Sequence, residues 1–124
     1  MNGVRFKTKA HNRYGKRHTP GEMTRAELRY ADELEQRRET GTITAWGFEK
    51  FKFRLADGCF YTPDFHVVHN DGSMEFVDVK GTGPVDDKSI VKAKVAAEEF
   101  WMFQFVMEQQ QTRKQGGGWK RREF

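Results

Sequence analysis

From residue 22 onward the apolar positions first recur at helical spacing. Leu28, Tyr30, Ala31 and Leu34 share one side of a helix predicted over about 23–39. Thr24 can cap its start, Glu27 three residues on completes a capping-box pattern, and Gly41 is a natural stop. The spacing then changes to two. Trp46 and Phe48 alternate, and Phe51, Phe53 and Leu55 alternate on the other parity, so a bulge or short break is expected at Glu49–Lys50. Asp57-Gly58 and Asp71-Gly72 are turn signals. They divide residues 44–55, 59–68 and 74–80 into an antiparallel three-stranded meander, ended by Gly81, Gly83 and Pro84.

A second helix is predicted from Asp87 to Gln111, capped by Asp86 or Asp87. Its later part is apolar on more than one side, through Phe100, Trp101, Met102, Phe103, Phe105, Val106 and Met107. One small sheet cannot cover such a helix, so either the first helix or a second copy of the chain covers the remaining face. Gly116-Gly117-Gly118 reads as a flexible link to a basic tail, Trp119–Phe124. Ahead of the first helix, Gly3, Gly15, Pro20 and Gly21 break any period, so residues 1–21 read as an arm. The expected division is an arm at 1–21, a core domain at 22–112 and a tail at 113–124. The expected class is α/β of the α+β kind: helix, three-stranded antiparallel meander, helix, between flexible basic termini.

Length adds that 124 residues make one domain with one modest core. Charge adds more. Residues 1–21 carry six basic residues and no acid, net +6; residues 22–112 carry eleven basic and seventeen acidic, net −6; residues 113–124 carry five basic and one acidic, net +4. Basic ends on an acidic body fit nucleic-acid contact, with Arg13, Lys16 and Arg17 in the arm and Lys120, Arg121 and Arg122 in the tail as the candidate groups. Solubilising tails are the plainer reading. A single cysteine, Cys59, excludes an intramolecular disulfide framework and fits a reducing, cytoplasmic setting. No membrane span and no secretory signal are expected. His11, His18, His66 and His69 have no metal-ligand spacing with Cys59, and Gly81-Thr82-Gly83-Pro84 lacks the Lys-Ser/Thr of a phosphate-binding loop. Neither zinc nor a nucleotide cofactor is expected.

The chemistry concentrates in Tyr61-Thr62-Pro63-Asp64-Phe65 and Phe76-Val77-Asp78-Val79-Lys80-Gly81. Residues two apart on a strand share a face, so Asp78 and Lys80 point one way while Val77 and Val79 enter the core. Pro63 removes a ladder donor, which fits an edge strand or a bulge. If 59–68 pairs with 74–80, Asp64 and Asp78 can meet on one face. Two such carboxylates raise each other's pKa, and a hard divalent cation such as Mg²⁺ removes the penalty. Lys80 then stands where it could steady a water or a phosphate oxygen, an arrangement suited to metal-assisted attack on a phosphodiester.

Pro63-Asp64, thirteen residues, then Asp78-Val79-Lys80 resembles the motif of the PD-(D/E)XK nucleases. With Thr24-Arg25-Ala26-Glu27, Tyr30 and Leu34 upstream and Gly81 after Lys80, the chain is similar to small phage-encoded endonucleases related to Holliday-junction resolvases, over about residues 22–95. The resemblance implies a restriction-endonuclease-like core and cleavage of DNA, branched DNA above all, in the cytoplasm of a bacterial host. It implies Mg²⁺, or Mn²⁺ in its place, held by Asp64, Asp78 and the Val79 carbonyl. Lys80 would orient or activate the water, and Glu27 would complete the acidic cluster directly or through a water. Asp at 78 replaces the commoner Glu and reaches less far. Cutting two opposed strands needs two sites, hence a homodimer. Lys92 and Lys94 on the second helix are candidate phosphate contacts. Each residue also has a plainer reading: Glu27 a capping acid, Asp64 a turn former, Asp78 and Lys80 a solvent-facing pair, Lys92 and Lys94 a solvated helix face. The competing functions are cleavage of duplex, flap or single-stranded DNA, and an inactive basic-armed DNA-binding phage protein.

Overall fold

The structure, a computed structural model, describes residues 21–124. The fold is mixed α+β: two helices on a mostly antiparallel sheet. Helix α1 (Arg25–Glu39) begins at the Thr24 cap, where the Glu27 N–H donates to the Thr24 hydroxyl and the Thr24 N–H donates to the Glu27 carboxylate. Both halves of the capping box are therefore made. Strands follow as β1 (Ile43–Phe48), β2 (Phe53–Ala56), β3 (Cys59–Tyr61), β4 (Phe65–His69) and β5 (Met74–Lys80). Helix α2 (Asp87–Glu99), β6 (Gln104–Gln110) and β7 (Trp119–Glu123) complete the chain. Five strands form one sheet in the order β1-β4-β5-β6-β7, and β2 and β3 form a separate two-stranded ribbon.

The expected meander is thus modified. Strands β1, β4 and β5 do run antiparallel side by side. The stretch 44–55 breaks at Glu49, which takes a positive φ of 51°, and 59–68 breaks around Pro63. The Asp57-Gly58 hairpin therefore joins only β2 to β3 and folds away from the main sheet. Pro63 lies in the break between β3 and β4, and β4 is an interior strand, not an edge.

Two further expectations are corrected. The second helix stops at Glu99, and residues 104–110 form β6, which lies parallel to β5. Phe105 and Met107 face one side of β6 and Val106 the other, so its continuous apolar run reflects a strand covered on both faces. Phe100, Phe103, Phe105, Val106 and Met107 are thereby covered within one chain, while Trp101 and Met102 stay exposed in the turn between α2 and β6. The tail is not a flexible extension. After a 3₁₀ turn at Arg113–Gln115 and the Gly116–Gly118 turn, β7 pairs antiparallel with β6, so the sheet extends to residue 123.

Two cores result. On one sheet face, Tyr30, Ala31 and Leu34 of α1, with Met23 just ahead of its cap, are buried against Trp46, Phe65, Val67, Val77 and Val106, and Trp119 of β7 meets Tyr30 edge-on. On the other, α2 and the β2–β3 ribbon pack Phe53, Tyr61, Ala93 and Ala96 on Phe76 and Phe105. Rings in this second core meet mostly edge-to-face, at centroid distances of 4.8–5.3 Å for Phe53–Phe76, Phe53–Phe105 and Phe76–Phe103. Gly47 lets His66 lie flat on β1: a Cβ there would fall 2.2 Å from the His66 ring, which Phe51 covers from outside. Gly47→Ala should cost about 1–3 kcal/mol through overpacking, read as a lower urea midpoint at unchanged slope.

The α1 face also holds a charged network. The Arg121 guanidinium donates to both oxygens of Glu75, to Glu108 and to Glu123. Glu75 and Glu108 are both buried. Burial holds the Glu108 carboxyl above its usual range, and Arg121 pulls it back. No helix among the described residues is long and apolar enough to cross a membrane.

Candidate active site

The site lies at the carboxyl end of β5, where three elements converge. Asp64 closes the break before β4, Asp78 and Lys80 come from β5, and Glu27 comes from the first turn of α1. The period-two reading of β5 holds: Val77 and Val79 enter the α1 core, and Asp78 and Lys80 face the α2 side. Asp78 is not a solvent-facing residue, however; it is 5% exposed, as is Glu27.

Backbone groups clamp the two aspartates. The Asp64 N–H donates to Asp78 Oδ1 at 3.3 Å, and the Val79 N–H donates to Asp64 Oδ2 at 2.8 Å. Each carboxylate therefore spends one oxygen on the backbone and keeps the other. Burial, then the Asp78 and Glu27 carboxylates, push Asp64 well above the usual carboxylate range, and Glu27 stands within proton-sharing reach of it. Burial also raises Asp78, against the pull of Lys80, the Tyr61 hydroxyl and the Asp64 N–H.

Two clefts meet here, both lined by Asp64 and Lys80. One, of about 310 Å³, continues past Asp78 to Tyr61, Ser89 and Lys92; the other, of about 390 Å³, passes Glu27, Val79 and Thr82. Lys80 Nζ donates to Ser89 Oγ at 3.1 Å. The Ser89 hydroxyl donates to Asp86 Oδ2, and the Ser89 N–H to Asp86 Oδ1, the N-cap of α2. The lysine is thus pinned to the start of the helix that follows its strand.

Which group fits these residues follows from the donors. Asp64 and Asp78 are hard oxygen ligands whose mutual repulsion a cation would relieve, and one oxygen of each is free of the backbone clamp. That set suits Mg²⁺ or Mn²⁺, which need only one or two carboxylates and complete their shell with water. Glu27 lies within hydrogen-bonding reach of Asp64, at the edge of the aspartate pair.

Of the other expected residues, Lys92 lines the first cleft, where its Nζ donates to the Phe60 carbonyl at 2.8 Å. Lys94 is exposed and lines neither cleft. Lys120 and Arg122 line a separate groove with Pro84, Val85 and Ile90. Arg121 faces the opposite side of the sheet and is engaged by three glutamates. Arg13, Lys16 and Arg17 lie outside the described residues. Sequence reasoning gave Asp86 a capping role, which the structure bears out, and assigned none to Tyr61, Ser89 or Phe60. Tyr61 is buried beside Asp78, which together with burial drives its own pKa upward, and its hydroxyl makes no hydrogen bond of good geometry. The alternation Tyr61-Pro63 ahead of Asp64 was the available signal; nothing local marks Ser89.

The raised carboxyls give a pH dependence of definite sign. A folded carboxyl raised above its unfolded value contributes most at low pH, and its contribution is lost as pH climbs through the raised value. Without metal, Asp78→Asn should therefore be at least as stable as the parent at pH 8, with the advantage shrinking toward pH 5. Paired thermal melts in chelator at the two pH values read this: groups away from the cleft cancel between the proteins, and Asp64, relieved of the Asp78 charge, adds to the gain at pH 8.

Compared with known proteins, the chain matches no family model, and no curated protein or solved structure is significantly similar to it.

Proposed function

We propose that this protein is a metal-dependent DNA endonuclease of the PD-(D/E)XK kind, acting on branched DNA, with the sheet and its helices forming a restriction-endonuclease-like core. The observation that supports it most is the backbone-clamped Asp64–Asp78 pair with Lys80 in the same cleft. Residues fourteen apart in sequence supply two acids and a base at one strand end, and the burial and mutual repulsion of the acids are costs that a bound cation would relieve.

Bound Mg²⁺ would supply charge stabilisation at the phosphoryl oxygens and a more acidic water. Asp64, Asp78 and the Val79 carbonyl would hold it. Lys80, released from Ser89 or sharing it, would orient the attacking water and offset charge that develops on the phosphate. Glu27 would take up a proton or a bridging water at the edge of the pair. Water adds to phosphorus, the P–O bond to one strand breaks, and the departing oxygen takes a proton. Lys92, Lys120 and Arg122 would grip flanking phosphates. Resolution of a junction requires two such sites and hence two copies of the chain.

The test is a substrate panel at one salt concentration: four-way junction, flap, single strand and linear duplex, each with Mg²⁺ and with chelator. Metal-dependent cutting, fastest on branched substrates, is expected. No cutting of any substrate in Mg²⁺ or Mn²⁺ overturns the reading; equal cutting of linear duplex retains the nuclease and removes the branch preference.

A further inference from the structure

The β2–β3 ribbon is unexplained by packing alone. Its inner face, Phe53 and Tyr61, completes the second core. Its outer face carries Lys52, Arg54 and Phe60, all exposed. Phe60 is 38% exposed and lies at the rim of the cleft that contains Asp64 and Asp78. The Lys52 ammonium sits 4.4 Å from the centroid of its ring. Phe60 is directly opposite Arg54 in the ribbon, and Lys92 Nζ ties its carbonyl to α2.

We infer that Phe60 is a stacking platform for an unpaired DNA base next to the scissile phosphate, with Lys52 and Arg54 pairing with the neighbouring phosphates. This rests on the nuclease reading and names the substrate feature that the site selects. An aromatic ring held half-exposed costs hydration in the free protein, and a base is the part of a nucleic acid that recovers it. Every base offers a π-face, so the contact is indifferent to sequence; a base inside a duplex is already stacked on both sides and gains nothing from it. Two cations beside the ring supply the backbone contact that such platforms combine with stacking. The tie from Lys92 fixes the ribbon before substrate arrives, which lowers the ordering cost of binding.

The experiment measures binding of the full chain in Ca²⁺ by fluorescence anisotropy. The probes are a forked duplex with a single-stranded arm and a blunt duplex of equal length. Phe60→Ala should weaken the fork about tenfold and the duplex by less than twofold. Phe60→Trp should restore fork binding, and its emission should be quenched by the fork relative to the parent protein. Unchanged fork affinity in Phe60→Ala, equal loss on both probes, or no DNA binding by the parent overturns the inference. Cleavage in Mg²⁺, run beside it, separates the two readings. A parent that cuts, with a Phe60→Ala variant that binds the fork normally, removes the platform alone. A parent that discriminates the fork through Phe60 but cuts nothing removes the nuclease and leaves the platform.

Discussion

Asp78→Asn should lower Mg²⁺-dependent cleavage on the order of a thousandfold or more while the protein stays folded and binds DNA in Ca²⁺. The substitution changes one atom. An Asn oxygen can still accept from the Asp64 N–H, so the clamp between β4 and β5 survives. What goes is one of the two negative charges that a cation would need. Lys80→Ala should give a loss of similar size for a different reason: the carboxylates remain, and the only ammonium from β5 is gone from the cleft. The two variants are separable by metal affinity. Calorimetry with Mn²⁺ should show binding lost or strongly weakened in Asp78→Asn and kept in Lys80→Ala. Undiminished cleavage by both would end the assignment of this cleft. The metal-free melts described above supply the control, because a variant that has lost activity while gaining stability at pH 8 has not simply unfolded.

Arg121→Ala should destabilise the protein by about 2–4 kcal/mol, measured by urea denaturation, although it lies far from the proposed chemistry. Arg121 is the cation that two buried glutamates share, and its removal leaves Glu75 and Glu108 facing each other beside Tyr30. A fully buried group would cost more; the Arg121 side chain is 36% exposed, so water recovers part of the loss. Lys120→Ala and Arg122→Ala, one residue to either side and on the other face, should each change stability by no more than about 0.5 kcal/mol. If they grip phosphates, each should instead reduce the salt dependence of DNA binding by about one counterion. Deleting 113–124 is a test of folding and not of that grip, because it strips β7 and uncovers the edge of β6.

The contrast between Arg121 and its neighbours shows how far the sequence reaches. The start of α1, both Asp-Gly turns and the break at Glu49 are local events written in a few residues each. The approach of Asp64 to Asp78 is also legible, because one turn and period-two alternation fix which residues of β4 and β5 meet. Residues 104–110 are not legible by the same means. Phe105, Val106 and Met107 are apolar on successive positions, and a strand buried on both faces leaves no period to tell it from a buried helix. Length and β-rich composition were the available arbiters. β7 fails for a second reason: Lys120-Arg121-Arg122 looks like a solvated charge run until Glu75 and Glu108, distant in sequence, are brought beneath its middle member. Ser89 and Phe60 belong to the same class, since their roles arise from tertiary neighbours alone.

Glu27 closes the box that begins α1 and also stands beside Asp64, and one side chain doing both joins two timescales. Fraying of the first turn of a helix is among the cheapest openings a protein undergoes. Here each such opening would carry a carboxylate away from the aspartate pair and back. The acidity of the cleft would then follow how often that turn opens as well as the closed distance. Amide hydrogen exchange at Thr24 and Glu27 becomes a gauge of the cleft, slowing whenever something bound there holds the Glu27 carboxylate in place.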